Sequence, residues 1–139
     1  MGNESSTPRT VIKAASACVW RGDEVLLAQR GKAHGRGFWS LPGGRVEAGE
    51  TTLEAAAREL LEETGVTALL EHHVGDFALT SGTTEFLISC HAGAHVSGEA
   101  VAQSDAMAVA WVHFLAIKDY ALAPNTASAI ARARLLMGR

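Results

Sequence analysis

The sequence predicts an α/β or α+β layered domain in which a sheet lies between helices. Strand-like and helical segments are intermixed along the chain rather than segregated, which is the pattern of a layered fold. Its 139 residues suffice for one domain that buries about two thirds of its unfolded surface without disulfides. Hydrophobic residues at 47% and charged residues at 19% match globular averages and exclude a disordered tail, a coiled coil or a collagen-like fibre.

Residues 1 to 9 read as a polar, flexible leader, and residues 10 to 139 as a single domain. Met1, Gly2 and Ser6 fit the loose spacing of an N-myristoylation signal. Val11 to Trp20 is apolar and β-branched enough for a strand, Arg21-Gly22-Asp23 supplies a turn, and Glu24 to Arg30 is its hairpin partner. Gly31 to Gly37 is a basic, Gly-rich loop that matches neither a phosphate loop nor a dinucleotide fingerprint. Thr51 and Glu54 form a capping box, Ala55 to Leu61 is rich in helix formers, and Gly65 is a left-handed terminator, so a helix is expected from about 52 to 64. Phe77 to Thr80 and Thr84 to Cys90 are expected strands flanking Ser81-Gly82. Ala106 to Phe114 is a further apolar run, and Asn125 to Leu136 has the spacing of a closing amphipathic helix.

Every apolar run is interrupted well short of the roughly 20 residues of a membrane span, and the N-terminus lacks the apolar stretch of a secretory signal. The expectation is a cytoplasmic protein with no membrane partner. Cys18 and Cys90, each inside an apolar run, fit buried reduced thiols.

Twelve Lys and Arg against fifteen Asp and Glu leave a net charge of −3, which gives no sign of a surface that coats a nucleic-acid polymer. Six of the acids (Glu47, Glu50, Glu54, Glu59, Glu62 and Glu63) lie between Gly44 and Val66 with two bases, Arg45 and Arg58. The negative charge is thus one local cluster. At 100° per residue, Glu59, Glu62 and Glu63 share one arc of the helix, next to a sector of Leu53, Ala56, Ala57, Leu60 and Thr64 that is expected to face the core. Like charges three and four residues apart repel, and only Arg58 is close in sequence to offset them. A solvated acidic face is the bland explanation. Coordination of a hard divalent cation, which binds through one or two carboxylates plus waters and phosphates, is the sharper one.

Gly44, then Glu50, then Arg58-Glu59-Leu60-Leu61-Glu62-Glu63-Thr64-Gly65-Val66 agree at every specified position with the signature of the Nudix, or MutT-type, hydrolases. At average residue usage such a match arises by chance on the order of once in a billion windows. Phe38-Trp39-Ser40-Leu41-Pro42-Gly43 is similar to the family's lead-in, and Asp105 followed by Trp111-Val112 to its later strand. The resemblance implies an α/β/α sandwich with a central mixed sheet and a Mg²⁺ site, with Mn²⁺ as substitute. It implies hydrolysis of a nucleoside diphosphate linked to another group, a small-molecule substrate.

Carried over by position, Glu59 and Glu63 resemble the main metal ligands, Glu62 a further one, and the carbonyl of Gly43 completes the set. Arg58 resembles the arginine that orients a glutamate by paired hydrogen bonds. Gly44 and Gly65 support the loop and helix, and Glu50 braces the loop or joins the outer shell of the metal. The general base is open between Glu62, Asp105 and Glu85, with Asp105 first among those outside the signature. Arg30 resembles a phosphate-contacting arginine, and Trp39 or Phe38 is available to stack on a base, although an aromatic in this place is as often core. The stretch from Gly98 through Trp111 to Ala123-Pro124-Asn125-Thr126 resembles short bacterial ADP-ribose pyrophosphatases. Gln29-Arg30 with His34, and Asn125 after a proline, resemble instead the nucleoside-triphosphate sanitising members. A non-catalytic nucleotide sensor is the rival of another class; retention of every carboxylate of the signature favours an enzyme. A homodimer is compatible with the resemblance. The histidines, including His72-His73 and His91 with His95, lack a third ligand at a zinc-like spacing.

Overall fold

The computed structural model describes residues 10–32 and 35–139. The expected leader, with its Gly2 signal, and His34 lie outside them. Strand β1 (Thr10–Arg21) turns at Gly22-Asp23 into β2 (Glu24–Arg30). The short strands β3 (Trp39–Ser40) and β4 (Gly43–Arg45) follow, then helix α1 (Thr52–Thr64). Two long strands, β5 (Thr67–Ser81) and β6 (Thr84–Ser97), form a hairpin; β7 (Ala106–His113), a short 3-10 turn at Ile117–Asp119 and helix α2 (Thr126–Leu136) complete the chain.

The sheet is mixed. β1 pairs in parallel with β6 from Thr10↔Thr84 to Trp20↔Ala94, while β5 pairs antiparallel with β6 and β7 antiparallel with β2. One face carries Ala15, Ala17, Val19 and Leu26 against Ala55, Ala56 and Leu60 of α1. The other carries Cys18, Trp20, Val25, Leu27, Cys90 and Ala92 against Ala129, Ile130 and Ala133 of α2. This is the α/β/α sandwich, and alternation along β1 explains it: successive side chains enter opposite layers, so a central strand must be apolar on both. Both cysteines are free and buried.

One feature of the sheet positions the site. β1 and β2 pair with each other only at Trp20↔Val25 and Arg21↔Glu24, next to their turn. Beyond it the strands fork: β3 pairs with β2 at Ala28 and Gln29, β4 pairs with β1 at Ala14 to Ser16, and the Ala17 amide donates to the Pro42 carbonyl at 2.9 Å. The segment carrying Gly43 and Gly44 is thereby wedged into the sheet beside α1. A β-carbon on Gly43 would run into the Ala15 carbonyl, so the wedge requires glycine there.

The structure corrects two expectations. β5 and β6 extend well beyond Phe77 to Thr80 and Thr84 to Cys90. Glu71, His72, His73 and Asp76 interrupt the apolar pattern of β5, and register shifts at Thr67/Ala68, Leu69/His72 and His73/Gly75 reset its alternation, which an edge strand tolerates. On α1, Leu53 and Ala57 are exposed and Ala55 is buried with Ala56, Leu60 and Thr64. The helix is therefore rotated about its axis, and Glu59 and Glu63 lie on the edge of its inward stripe rather than on a separate acidic face.

The helix ends are as their residues dictate. The Glu54 amide donates to Thr51 Oγ1 at 3.1 Å and the Thr51 amide to Glu54 Oε1 at 2.9 Å. At the other end Gly65 adopts φ +75° and its amide donates to the Leu61 carbonyl at 2.9 Å. Replacing Gly65 by Ala brings a β-carbon within 3.0 Å of the flexible Gln103 Nε2, so the cost is mainly left-handed strain, about 1 kcal/mol. The expected fall in melting temperature is about 3–6 °C by thermal denaturation, and an unchanged value would contradict this cap.

Candidate active site

Arg58, one turn into α1, is the hub of the acidic cluster. Its Nε donates to Glu50 Oε2 at 2.6 Å and its Nη2 to Glu50 Oε1 at 3.1 Å, a two-pronged pair. Its Nη1 reaches Glu59 Oε2 at 3.0 Å and Glu62 Oε1 at 3.2 Å, and its Nη2 also donates to the Arg45 carbonyl at 3.0 Å. The guanidinium holds the Glu50 carboxyl below its ordinary range, with help from the Glu47 amide. The carboxylates in turn hold the Arg58 proton more tightly than usual, Glu50 most of all. With these partners arranged around it, Arg58 joins the loop before α1 to the helix.

Glu59 and Glu63, one helical turn apart, point into the fork of the sheet. A β-carbon on Gly44 would lie 2.5 Å from the Glu59 carboxyl, so the absence of a side chain there is what admits it. The Gly43 amide donates weakly to Glu63 Oε1 at 3.4 Å. The backbone group of Gly43 that faces Glu63 is thus its N–H. Burial raises the Glu63 carboxyl to about 8, the charge and hydrogen bond of Glu59 add to that, and the Gly43 amide and Arg30 offset part of it. A buried carboxyl beside a second carboxylate favours its protonated form, because two negative charges side by side out of water are costly.

These residues line a cavity of about 170 Å³ together with Arg30, Lys32, Gly43, Gly44, Arg45 and Asp105. It shares Arg30, Ser40, Leu41, Gly43 and Gly44 with the lining of a larger cleft of about 400 Å³ whose walls are mostly apolar: Phe38, Phe77, Leu79, Phe86, Ile88 and Ala129, with Asn125 just before α2. Asn125 has φ +71° and its Nδ2 donates to the Ala78 carbonyl at 3.1 Å, tying α2 to β5. The fold therefore brings together Arg30, Gly43, Gly44, Glu59, Glu63, Asp105 and Asn125 from segments far apart in sequence.

Three candidates stand elsewhere. Glu62 is half exposed on the outer side of Arg58 and lines neither cavity. Trp39 packs edge-on against Tyr120, with ring centroids 5.2 Å apart, and belongs to the core on the α2 side, while the adjacent Phe38, 46% exposed, lines the cleft. Glu85 occupies the face of β6 opposite to Phe86 and Ile88, away from the cleft. Lys32 and the apolar walls from β5 and β6 have no local signature and were not foreseen.

The chemistry of the donor set fits a hard divalent cation. Two adjacent, partly buried carboxyls, one of them held in its protonated form by burial, gain from a cation in place of that proton, and oxygen donors beside an open cavity leave positions for water and phosphate. Among the described residues no group of three or more His, Cys, Asp or Glu side chains is preassembled as a metal cage.

The sequence model of the NUDIX domain matches residues 11–133. The phosphatase NudJ of Escherichia coli (strain K12) is 43% identical over 58 residues, which is 42% of this chain and 38% of that protein, so the chain matches well under half of its relative's length. The MutT protein from Methanosarcina mazei Go1 superposes with a TM-score of 0.82 at 23% identity, covering 96% of this chain and 99% of that one, a likeness of fold. A bifunctional NMN adenylyltransferase/ADP ribose pyrophosphatase from Francisella tularensis, complexed with AMP and a Mn ion, superposes with a TM-score of 0.72 at 25% identity over 96% of this chain and 44% of that one. With a family match spanning nearly the whole described fold and a mixed-sheet sandwich in agreement, this chain belongs to the Nudix hydrolase family.

Proposed function

We propose that the chain is a Mg²⁺-dependent pyrophosphohydrolase of the cytoplasm that cleaves a nucleoside diphosphate linked to another group, with ADP-ribose, giving AMP and ribose 5-phosphate, as the first substrate to test. The observation that carries this reading is the paired Glu59–Glu63 carboxyls in a charged cavity that shares a wall of residues with an apolar, aromatic-walled cleft. A diphosphate suits the first and a nucleoside the second. The ADP ribose pyrophosphatase among the similar structures supports ADP-ribose. A nucleoside triphosphate is the second reading, favoured by Asn125 on the rim of the apolar cleft, where an amide can meet the edge of a base.

In hydrolysis a water oxygen bonds to phosphorus, the bridging P–O bond breaks, and the leaving phosphate departs with that oxygen. Anionic oxygens repel the incoming water, so the protein must supply positive charge and alignment. Glu59 and Glu63, with Gly43 beside them, are the residues that would hold the cation, with Mn²⁺ able to replace Mg²⁺; when bound it supplies positive charge to the phosphate oxygens and lowers the pKa of water. Arg58 orients Glu59 and fixes the loop through Glu50, without reaching the cavity. Arg30 sits across from the carboxyls to meet phosphate. Phe38, Phe77 and Phe86 exclude water from the nucleoside end. Asp105, at the cavity wall, is the favoured general base, since Glu62 and Glu85 do not line it.

Release of AMP from ADP-ribose, or of pyrophosphate from a deoxynucleoside triphosphate, with Mg²⁺ and then with EDTA, tests the reading. Nucleotide binding without turnover across a broad panel would make the chain a sensor instead. Glu63→Gln preserves size while removing a charge, and turnover should fall by at least about a hundredfold with the fold intact, measured at saturating Mg²⁺.

Proton linkage supplies an independent check. Without metal the folded Glu63 carboxyl keeps its proton up to about pH 8, against the 4.5 of an ordinary glutamate. The folded state then binds more protons than the unfolded chain, so metal-free stability falls as pH rises from 4.5 to about 8. Because Mg²⁺ competes with that proton, the Mg²⁺-induced rise in melting temperature should be larger at about pH 9 than at about pH 6, and Glu63→Gln should flatten the difference. Equal increments at both pH values in the parent chain would contradict the raised Glu63 carboxyl.

A further inference from the structure

We propose that Lys32 is a phosphate-binding residue held in reserve by Asp105, and that it exchanges this carboxylate for a substrate phosphate when the cavity fills. The inference rests on the pyrophosphohydrolase reading and assigns a residue to it that the signature does not contain.

The roots of the two side chains are fixed and their heads are loose. The Gly31 amide donates to the Asp105 carbonyl at 2.8 Å, joining the loop after β2 to the start of β7. A β-carbon on Gly31 would lie 2.7 Å from that carbonyl and 3.0 Å from Met107 Cγ, so the approach depends on glycine. Arg36 Nη1 also donates to the Gly31 carbonyl, at 2.6 Å, holding the loop from its other side. On these anchored backbones, Lys32 Nζ stands 3.0 Å from Asp105 Oδ2, with the side chains 65% and 54% exposed.

The energetics favour exchange at Lys32 over Arg58, the cation that holds the neighbouring carboxylates. Arg58 is engaged with three carboxylates and a carbonyl, only 23% exposed, and cannot leave without stranding them. The Lys32 pair is solvent-screened and contributes little to stability, so giving it up costs little. Both residues line the same cavity as Glu59 and Glu63, where a diphosphate brings at least two negative charges against the single charge of Asp105. An ammonium on a four-carbon stem can turn from one oxygen to the other without backbone movement.

The test is a double-mutant cycle on the affinity of α,β-methylene-ADP, whose carbon bridge resists hydrolysis, measured by titration calorimetry with Mg²⁺. Lys32→Ala should weaken binding about tenfold, the size of one lost charge-assisted hydrogen bond. Asp105→Asn should tighten it about threefold when Lys32 is present, the strength of an exposed ion pair, and leave it unchanged in Lys32→Ala. With substrate, Lys32→Ala should raise KM and leave kcat within about twofold, as for loss of uniform binding. Full affinity in Lys32→Ala, or the same effect of Asp105→Asn in both backgrounds, would overturn the exchange. Melting temperatures of all four chains establish that each is folded. Coupling without turnover on any substrate would refute the hydrolase reading and leave the exchange standing; turnover without coupling would do the reverse.

Discussion

Carboxylates repel, and this chain places six of them within twenty residues, so its fold depends on how their charge is answered. One guanidinium does most of that. Arg58 engages Glu50, Glu59 and Glu62, which fixes the loop before α1 against the helix and leaves Glu59 with a defined orientation. Glu63 lies beyond Arg58's reach in the described contacts and answers Glu59's charge by keeping a proton. The division is consequential: the carboxylates on Arg58 serve structure at any pH where they are ionised, whereas the Glu59–Glu63 edge is left poised for a cation.

The fork between β1 and β2 converts that poise into a site. Had the two strands paired along their length, the sheet would close over the place now taken by Gly43 and Gly44. Because they separate after two residue pairs, a glycine segment enters, and the missing side chain of Gly44 leaves space for the Glu59 carboxyl. Arg30 and Lys32 reach the same cavity from the far prong of the fork. Sheet topology and charge chemistry are in this way one arrangement seen at two scales.

How much of this the sequence reveals follows the range of the interactions. The helix over Thr52–Thr64 is legible to the residue, since its capping box and terminal glycine act within a few positions. The strands β1, β2 and β7 are legible because both of their faces are packed. β5 is not, as an edge strand with bulges needs no regular alternation. The acidic cluster announces a cation site, but which carboxylate turns inward depends on the rotation of α1 against the sheet, and that is decided by Ala55 packing where Leu53 and Ala57 do not. The choice of Phe38 over Trp39 for the cleft has the same origin: adjacent residues of one kind, sorted by the layer behind them. The apolar cleft itself joins β5, β6 and α2 across more than forty residues, a juxtaposition without any local mark.

The parallel ladder between β1 and β6 carries a consequence for biosynthesis. Its partners, Thr10 to Trp20 and Thr84 to Ala94, are separated by more than seventy residues, so the centre of the sheet cannot zip until most of the chain has left the ribosome. Until then the nascent β1, apolar on both sides, has its short hairpin contact with β2, its three pairs with β4 and the packing of α1, but no partner along the rest of its length. Non-local topology of this kind makes for slow folding and exposes an aggregation-prone strand early, which places the demand for chaperone protection on the first third of the chain rather than on the segment that performs the chemistry.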